Sequence, residues 1–277
     1  MPGFFVLIWS TGFIVARLGM PHAPPMKFLA MRYALSALCF GAWVLAAGVA
    51  WPRGRRQWLH LAVTGVLMQA IYLGGVWSAV KLGMGAGLVA LLVSLQPMLT
   101  AVWLSGRGQR VTAAQWAGLA LGLAGLTMVV WQKLGHGEVN GPNLACALFA
   151  LMGITVGTLY QKRFVQPCDV RSANLVQLLA ALAVTAPLAL MENEGIQLTA
   201  EFSGALIWSV LGLTLGGSSL LYLLIQRGAA TQVTSLFYLV PPTTALMAWG
   251  LFGETITPLT VAGIALTAIG VSVVVRR

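Results

Sequence analysis

Polar residues in this chain gather in short clusters, and between the clusters run ten long stretches in which most side chains are apolar. The stretches cover 3–19, 27–50, 58–80, 86–105, 112–132, 141–163, 172–191, 203–225, 230–251 and 258–275. A helix needs roughly 20 apolar residues to cross the hydrocarbon of a bilayer, and each stretch is close to that length. Strands would alternate apolar with polar side chains, and these runs do not. The links are turn material, such as "MPHAPP", "WPRGRR" and "GMGAG". The pattern predicts an all-α integral membrane protein with ten transmembrane helices. No basic residues precede the first stretch and no small-residue cleavage site follows it. It is therefore expected to be a span, not a signal peptide.

Composition strengthens that reading. Hydrophobic residues make up 58% of the 277 and charged residues 8%, against about 25% charged in an average soluble domain. So few charges could not cover a water-facing surface. The net charge of +10 would suggest nucleic acid in a soluble protein. Here the basic residues lie in links between apolar runs, without stacking aromatics among them, so no nucleic-acid partner is expected.

Charge also gives an orientation, because Lys and Arg collect on the cytoplasmic side. With a cytoplasmic N-terminus, the inner side holds Arg53, Arg55, Arg56, Arg107, Arg110, Lys162, Arg163, Arg171, Arg227, Arg276 and Arg277. The outer side keeps Arg17, Lys27, Arg32, Lys81 and Lys133. Glu138, Glu192, Glu194, Glu201 and Glu254 then fall outside, and Asp169 inside. Both termini are expected in the cytoplasm, and the location is expected to be the bacterial inner membrane.

A repeat explains the swap of charge between sides. Moving 145 residues along the chain carries Gly108 onto Gly253, Thr112 onto Thr257, Gly118 onto Gly263 and Gly125 onto Gly270. Upstream, Gly83 falls on Gly228 and Pro97 on Pro242. That offset spans five helices, an odd number, so the two copies enter the membrane from opposite sides. The expected organisation is two inverted five-span repeats, 1–135 and 136–277. Inverted halves are a recurrent transporter design, in which a midplane site opens first to one side and then to the other.

The candidate chemistry is modest. Cys39, Cys146 and Cys168 are scattered, and no His is spaced to join them, so neither a metal site nor a cofactor is expected. There is no HExxH and no paired intramembrane aspartate, which argues against an enzyme. Polar residues in spans usually face the interior. They give a set of candidates for a central cavity: Trp9, Ser10 and Phe13 in the first span; Gln69, Tyr72 and Trp77 in the third; Ser94 in the fourth; Thr155 and Thr158 in the sixth; Ser218 and Tyr222 in the eighth; Tyr238 in the ninth. Ser and Thr can equally satisfy their own backbone, and aromatics at span ends, such as Trp51, Trp58 and Trp131, read as interface belts. Pro97, Pro241 and Pro242 interrupt their spans and are candidate gating points. Gly74 and Gly75 read as close packing. Arg32 is the one basic candidate near the site, with a loop-anchoring role as the alternative.

Several stretches together carry a resemblance to a known family: "WSTGF" (9–13), "MRYALSAL" (31–38), the Pro97 and Pro242 segments, and the closing "FGETITPLTVAGIALTAIGV". The whole chain resembles the drug/metabolite transporter superfamily in its ten-span EamA-type branch. Within that branch it is most similar to YddG-type exporters of aromatic and other amino acids. The first repeat departs from the pattern at Gln109, where a loop glutamate is usual.

No span contains Asp or Glu, so the usual carboxylate proton carrier is absent. The expectation is an exporter of amino acids and similar small metabolites, working by alternating access and not obligatorily proton-coupled. A gradient-driven exporter of lipophilic cations or drugs, with His60 coupling protons, is the alternative. A lipid-embedded monomer or weak dimer is expected.

Overall fold

The computed structural model describes residues 2–108, 112–135, 137–217, 220 and 239–275, and among these every regular element is helical. In chain order they are α1 (Pro2–Gly19), α2 (Pro25–Ala46), α3 (Arg55–Lys81), α4 (Ala86–Val93), α5 (Gln96–Ser105), α6 (Ala113–Gly135), α7 (Gly141–Phe164), α8 (Val170–Met191), α9 (Ala200–Gly217), α10 (Val240–Phe252) and α11 (Pro258–Val275). Among the described residues, seven helices are long and apolar enough to cross a membrane: α2, α3, Ala86–Trp103 taken together, α6, α7, α8 and α9. The first and last predicted spans contain shorter apolar helices, Val6–Gly19 and Pro258–Val274. Of the ninth, 230–251, the described part begins at Leu239.

Local sequence sets the helix ends. Asn140 and Asn143 form a reciprocal capping box at the start of α7, and Thr199 accepts from the Phe202 N–H at the start of α9. Gly253 ends α10 in the left-handed conformation at φ 66°, where any other L residue would be strained.

Pro97, Pro241 and Pro242 stand at helix starts. Pro97 is the second residue of α5, just after a break at Ser94–Leu95, where Leu95 N–H turns to Leu92 O and Met98 N–H to Leu95 O. Pro241 and Pro242 lie in the first turn of α10. There a missing N–H costs nothing, since first-turn donors have no helical partner. These prolines start helices, and the span 86–105 is two helices.

Burial is inverted relative to a water-soluble protein. Trp131, Leu190 and Leu45 are 77%, 87% and 75% exposed, while Ser10, Ser36, Thr64, Thr185 and Thr267 are fully buried. Such a surface is stable against lipid, not water. Helices meet through small residues, as lipid-embedded helices do. Gly75 of α3 lies against the Cys146 carbonyl and Ala150 of α7, so a Cβ there would sit 2.6 Å from that oxygen. The expectation of packing for Gly74 and Gly75 holds, since Gly74 lies against Met26.

The α6–α11 contact is reciprocal. A Cβ on Gly118 would lie 2.7 Å from the Gly270 carbonyl oxygen, and one on Gly270 would lie 2.5 Å from that of Gly118. Gly125 and Gly263 face each other at 2.5 and 2.7 Å by the same measure. Between the two pairs, Thr267 Oγ1 donates to the Gly122 carbonyl at 3.3 Å, across 145 residues of chain.

Candidate functional site

A cavity of about 660 Å³ opens among α1, α2, α3, α7, α8 and α9. Leu61 and Trp77 both line it, and sixteen residues of α3 separate them, roughly 24 Å at 1.5 Å per residue. The cavity thus runs along most of the membrane thickness. Its lining is exposed at Lys162, Gln166 and Pro167, which puts the mouth at the end of the bundle that carries Arg55, Arg56 and Arg163.

Among the described residues, buried aromatic side chains fill the other end. Trp77 is 1% exposed, and its ring packs on Phe28 with centroids 4.3 Å apart; Phe28 meets Phe202 edge-on at 5.4 Å. Gly19 lies directly beneath Phe28, where a Cβ would come within 2.8 Å of the ring. Beyond this aromatic plug, carboxylates tie the links together. Glu192 accepts from the Met26 and Lys27 backbone N–H groups at 3.0 and 2.8 Å, at the start of α2. Glu194 pairs with Lys81, and Lys27 Nζ donates to the Glu194 carbonyl at 2.7 Å. Glu201 meets His22 at 2.7 Å, and Glu138 meets Lys133 at 2.7 Å. Glu254 accepts from Ala86 N–H at 2.9 Å, at the start of α4. Carboxylates on helix N-termini are favoured by the unpaired N–H groups and the helix dipole.

Two stretches bordering the cavity are wound as π-helix, Val66–Ile71 within α3 and Trp208–Gly217 within α9. Moved along by 145 residues, 66–71 falls on 211–216, inside the second stretch. Neighbouring residues of α2 hold both. The Tyr33 hydroxyl donates to the Gln69 carbonyl at 2.8 Å. Arg32 donates from Nε and Nη2 to Thr214 Oγ1 at 3.3 and 3.2 Å. Wide turns of this kind leave carbonyls and side chains displaced from the regular ladder and recur at functional sites.

Of the residues singled out in the sequence, Trp9, Phe13, Gln69, Tyr72, Trp77 and Thr158 line the cavity. Ser10, Ser94 and Thr155 do not. Ser94 and Thr155 donate to Leu91 O and Leu151 O within their own helices, at 2.6 Å each, and buried Ser10 faces Val240 O at 3.5 Å. Ser218, Tyr222 and Tyr238 lie outside the described residues. Arg32 lines the cavity and does not anchor a loop. Sequence reasoning missed Thr214, Gln161, Asn174 and Gln177, which also line it. The available signal was the one applied elsewhere, a polar residue inside an apolar run. Lys162, an inner-side charge by the sequence, also stands at the cavity wall.

A lipid-facing helical bundle enclosing a deep one-ended cavity belongs to the class of small-molecule membrane transporters. The sequence profile described as the EamA-like transporter family matches residues 4–131 and again 143–276, and the chain belongs to that family. It is 26% identical over 91% of its length to the uncharacterized inner membrane transporter YedA of Escherichia coli (strain K12), of which the match covers 81%. It is 25% identical over 96% of its length to a probable amino-acid metabolite efflux pump of Salmonella typhimurium, covering 90% of that protein. A solved crystal structure shares the fold with a TM-score of 0.67 at 18% identity, over 99% of this chain and 95% of the other.

Proposed function

We infer that the protein exports amino acids and similar small zwitterionic or neutral metabolites from the cytoplasm by alternating access, and that the cavity is the substrate site in its cytoplasm-facing state. The observation that carries this reading is the cavity itself. It is open at the arginine-rich end, which the positive-inside rule assigns to the cytoplasm, and plugged by Trp77, Phe28 and Phe202 at the other. Trp9, Phe13 and Tyr72 suit an apolar side chain, and Gln69 and Thr158 suit its polar groups. The name of the Salmonella relative points the same way.

In this reading ten spans, with both termini in the cytoplasm of an inner-membrane protein, form two inverted halves, 1–135 and 136–277. Reciprocal packing of Gly118 on Gly270 and Gly125 on Gly263 supports it, because a two-fold axis brings residue i against j and j against i. The π stretches at equivalent positions support it as well, since interrupted segments at matching places mark the moving parts of such transporters. All six carboxylates lie outside the spans, which fits transport down the substrate's own gradient. An arginine in the cavity wall disfavours the lipophilic-cation exporter.

The test uses purified protein in sealed liposomes preloaded with one unlabelled amino acid, with entry of its radiolabelled form followed with and without a pH gradient. Exchange without a gradient is expected. Gradient-driven cation movement with no exchange of any amino acid would sink the reading.

A further inference from the structure

We propose that Arg32, positioned by Thr214, is the anchor for a carboxylate on the transported molecule, so that substrates of this cavity are carboxylate-bearing amphiphiles. The proposal rests on the export reading above and names the group by which the site recognises its cargo.

The chain has six acidic residues, and each is engaged away from Arg32. Glu138 pairs with Lys133, Asp169 with Arg171, Glu194 with Lys81 and Glu201 with His22, while Glu192 and Glu254 sit on helix N-termini. Arg32 is 8% exposed, and what it touches is a neutral hydroxyl. A guanidinium presents five N–H donors in a planar fork. Two of them reach Thr214 Oγ1, whose own proton goes to Ser209 O at 2.8 Å. The remaining donors and the full positive charge stand at the cavity wall. A buried charge without a counter-ion costs several kcal/mol, so a cation kept there calls for an anion supplied from outside the chain.

The surroundings select the anion. One guanidinium matches one carboxylate in charge and in two-pronged geometry. The same cavity presents Trp9, Phe13, Tyr72 and Trp77, which favours an apolar body attached to that carboxylate. Thr214 belongs to one π stretch, and Gln69, beside the cavity, to the other. A carboxylate on Arg32 therefore lies between the two wide turns.

Detergent-purified protein would be titrated calorimetrically with L-phenylalanine, phenylacetate (carboxylate without ammonium), phenethylamine (ammonium without carboxylate) and phenyl phosphate. Wild type is expected to bind phenylalanine and phenylacetate and to ignore phenethylamine, a result that needs no variant. Arg32→Gln should weaken both carboxylates roughly 10- to 100-fold, the range of a charge-assisted hydrogen bond. Arg32→Lys should recover part of that loss, because it keeps the charge and loses the fork. Equal binding of phenethylamine, tighter binding of phenyl phosphate than of phenylacetate, or unchanged carboxylate affinity in a folded Arg32→Gln protein would each overturn the anchor. Arg32-dependent binding of phenylacetate without binding or exchange of any amino acid would leave the anchor standing and remove the amino-acid reading. Amino-acid exchange with unaltered KM in Arg32→Gln would do the reverse.

Discussion

The two ends of this bundle are built on different electrostatics. At the plugged end, Glu194 and Glu201 pair with Lys81 and His22 from distant parts of the chain, Glu192 and Glu254 seat on the first turns of α2 and α4, and Glu138 pairs with Lys133 at the end of α6. At the mouth, the described ion pair is Asp169–Arg171, two residues apart on one helix start. Nearby contacts are made by neutral groups: Gln57 Nε2 donates to Gln166 O at 2.9 Å, and Ser172 Oγ donates to Ala50 O at 2.9 Å. The basic residues at the mouth outnumber any acid that could hold them. Charge at one end ties distant parts of the chain together; at the other the described ion pair is local.

The strongest way to break this contrast is to remove the plug. Trp77→Ala should destabilise the protein by about 3–5 kcal/mol, the range for deleting a large buried aromatic, measured by unfolding in mixed micelles. If instead the carboxylates alone close that end, the loss would be near that of a surface aromatic. A middle-sized effect is expected from Glu192→Gln with Glu254→Gln. Each carboxylate on a helix N-terminus contributes about 0.3–1 kcal/mol. Opening at that face should therefore rise roughly 3- to 30-fold. The readout is labelling of Phe13→Cys, in a background without the three native cysteines, by an impermeant maleimide added to the Glu192 face of sealed vesicles. Equal labelling with and without the glutamines would show that these contacts do not restrain the closed end.

The smallest effect belongs to the mouth. Hydrogen bonding to Arg171, joined by the backbone bond and the arginine's charge, holds the Asp169 carboxyl below its usual range, against a lesser opposing push from burial. A carboxylate with a lowered folded pKa contributes stability above the unfolded value of 3.8 and loses it as pH falls through the folded value. Asp169→Asn should leave melting near neutral pH within a few degrees of wild type, because a pair this open to solvent and only two residues apart contributes about 1 kcal/mol at most. It should also flatten the stability profile below about pH 4.

Much of this architecture was readable in the chain. Apolar runs gave the helices, and Lys, Arg and Glu sorted the two ends. The glycines at offset 145 became the α6–α11 contact. The site was legible where a residue's size or chemistry forces it inward, as with Trp9, Tyr72 and Trp77. It was not legible for Ser10, Ser94 and Thr155, because a hydroxyl satisfied by its own backbone looks identical in sequence to one facing a cavity. Arg32 was ambiguous for a different reason. It sits two turns into α2, and its long side chain can reach either the interface or the interior. The π stretches had no signal at all, since no residue type demands an extra residue in a turn.

That extra residue has a consequence for which length changes the gene can tolerate. A wide turn is an insertion already absorbed, so deleting one residue within 66–71 would tighten α3 to regular winding and leave the flanking faces, Leu61 and Trp77, near their present bearing. The same deletion in the middle of α6 has no such slack to use. It would turn one end of that helix by about 100° against the other, carrying Gly118 or Gly125 away from its partner on α11. Along this chain, α3 and α9, the cavity helices that carry the wide turns, are the ones that can lose a residue.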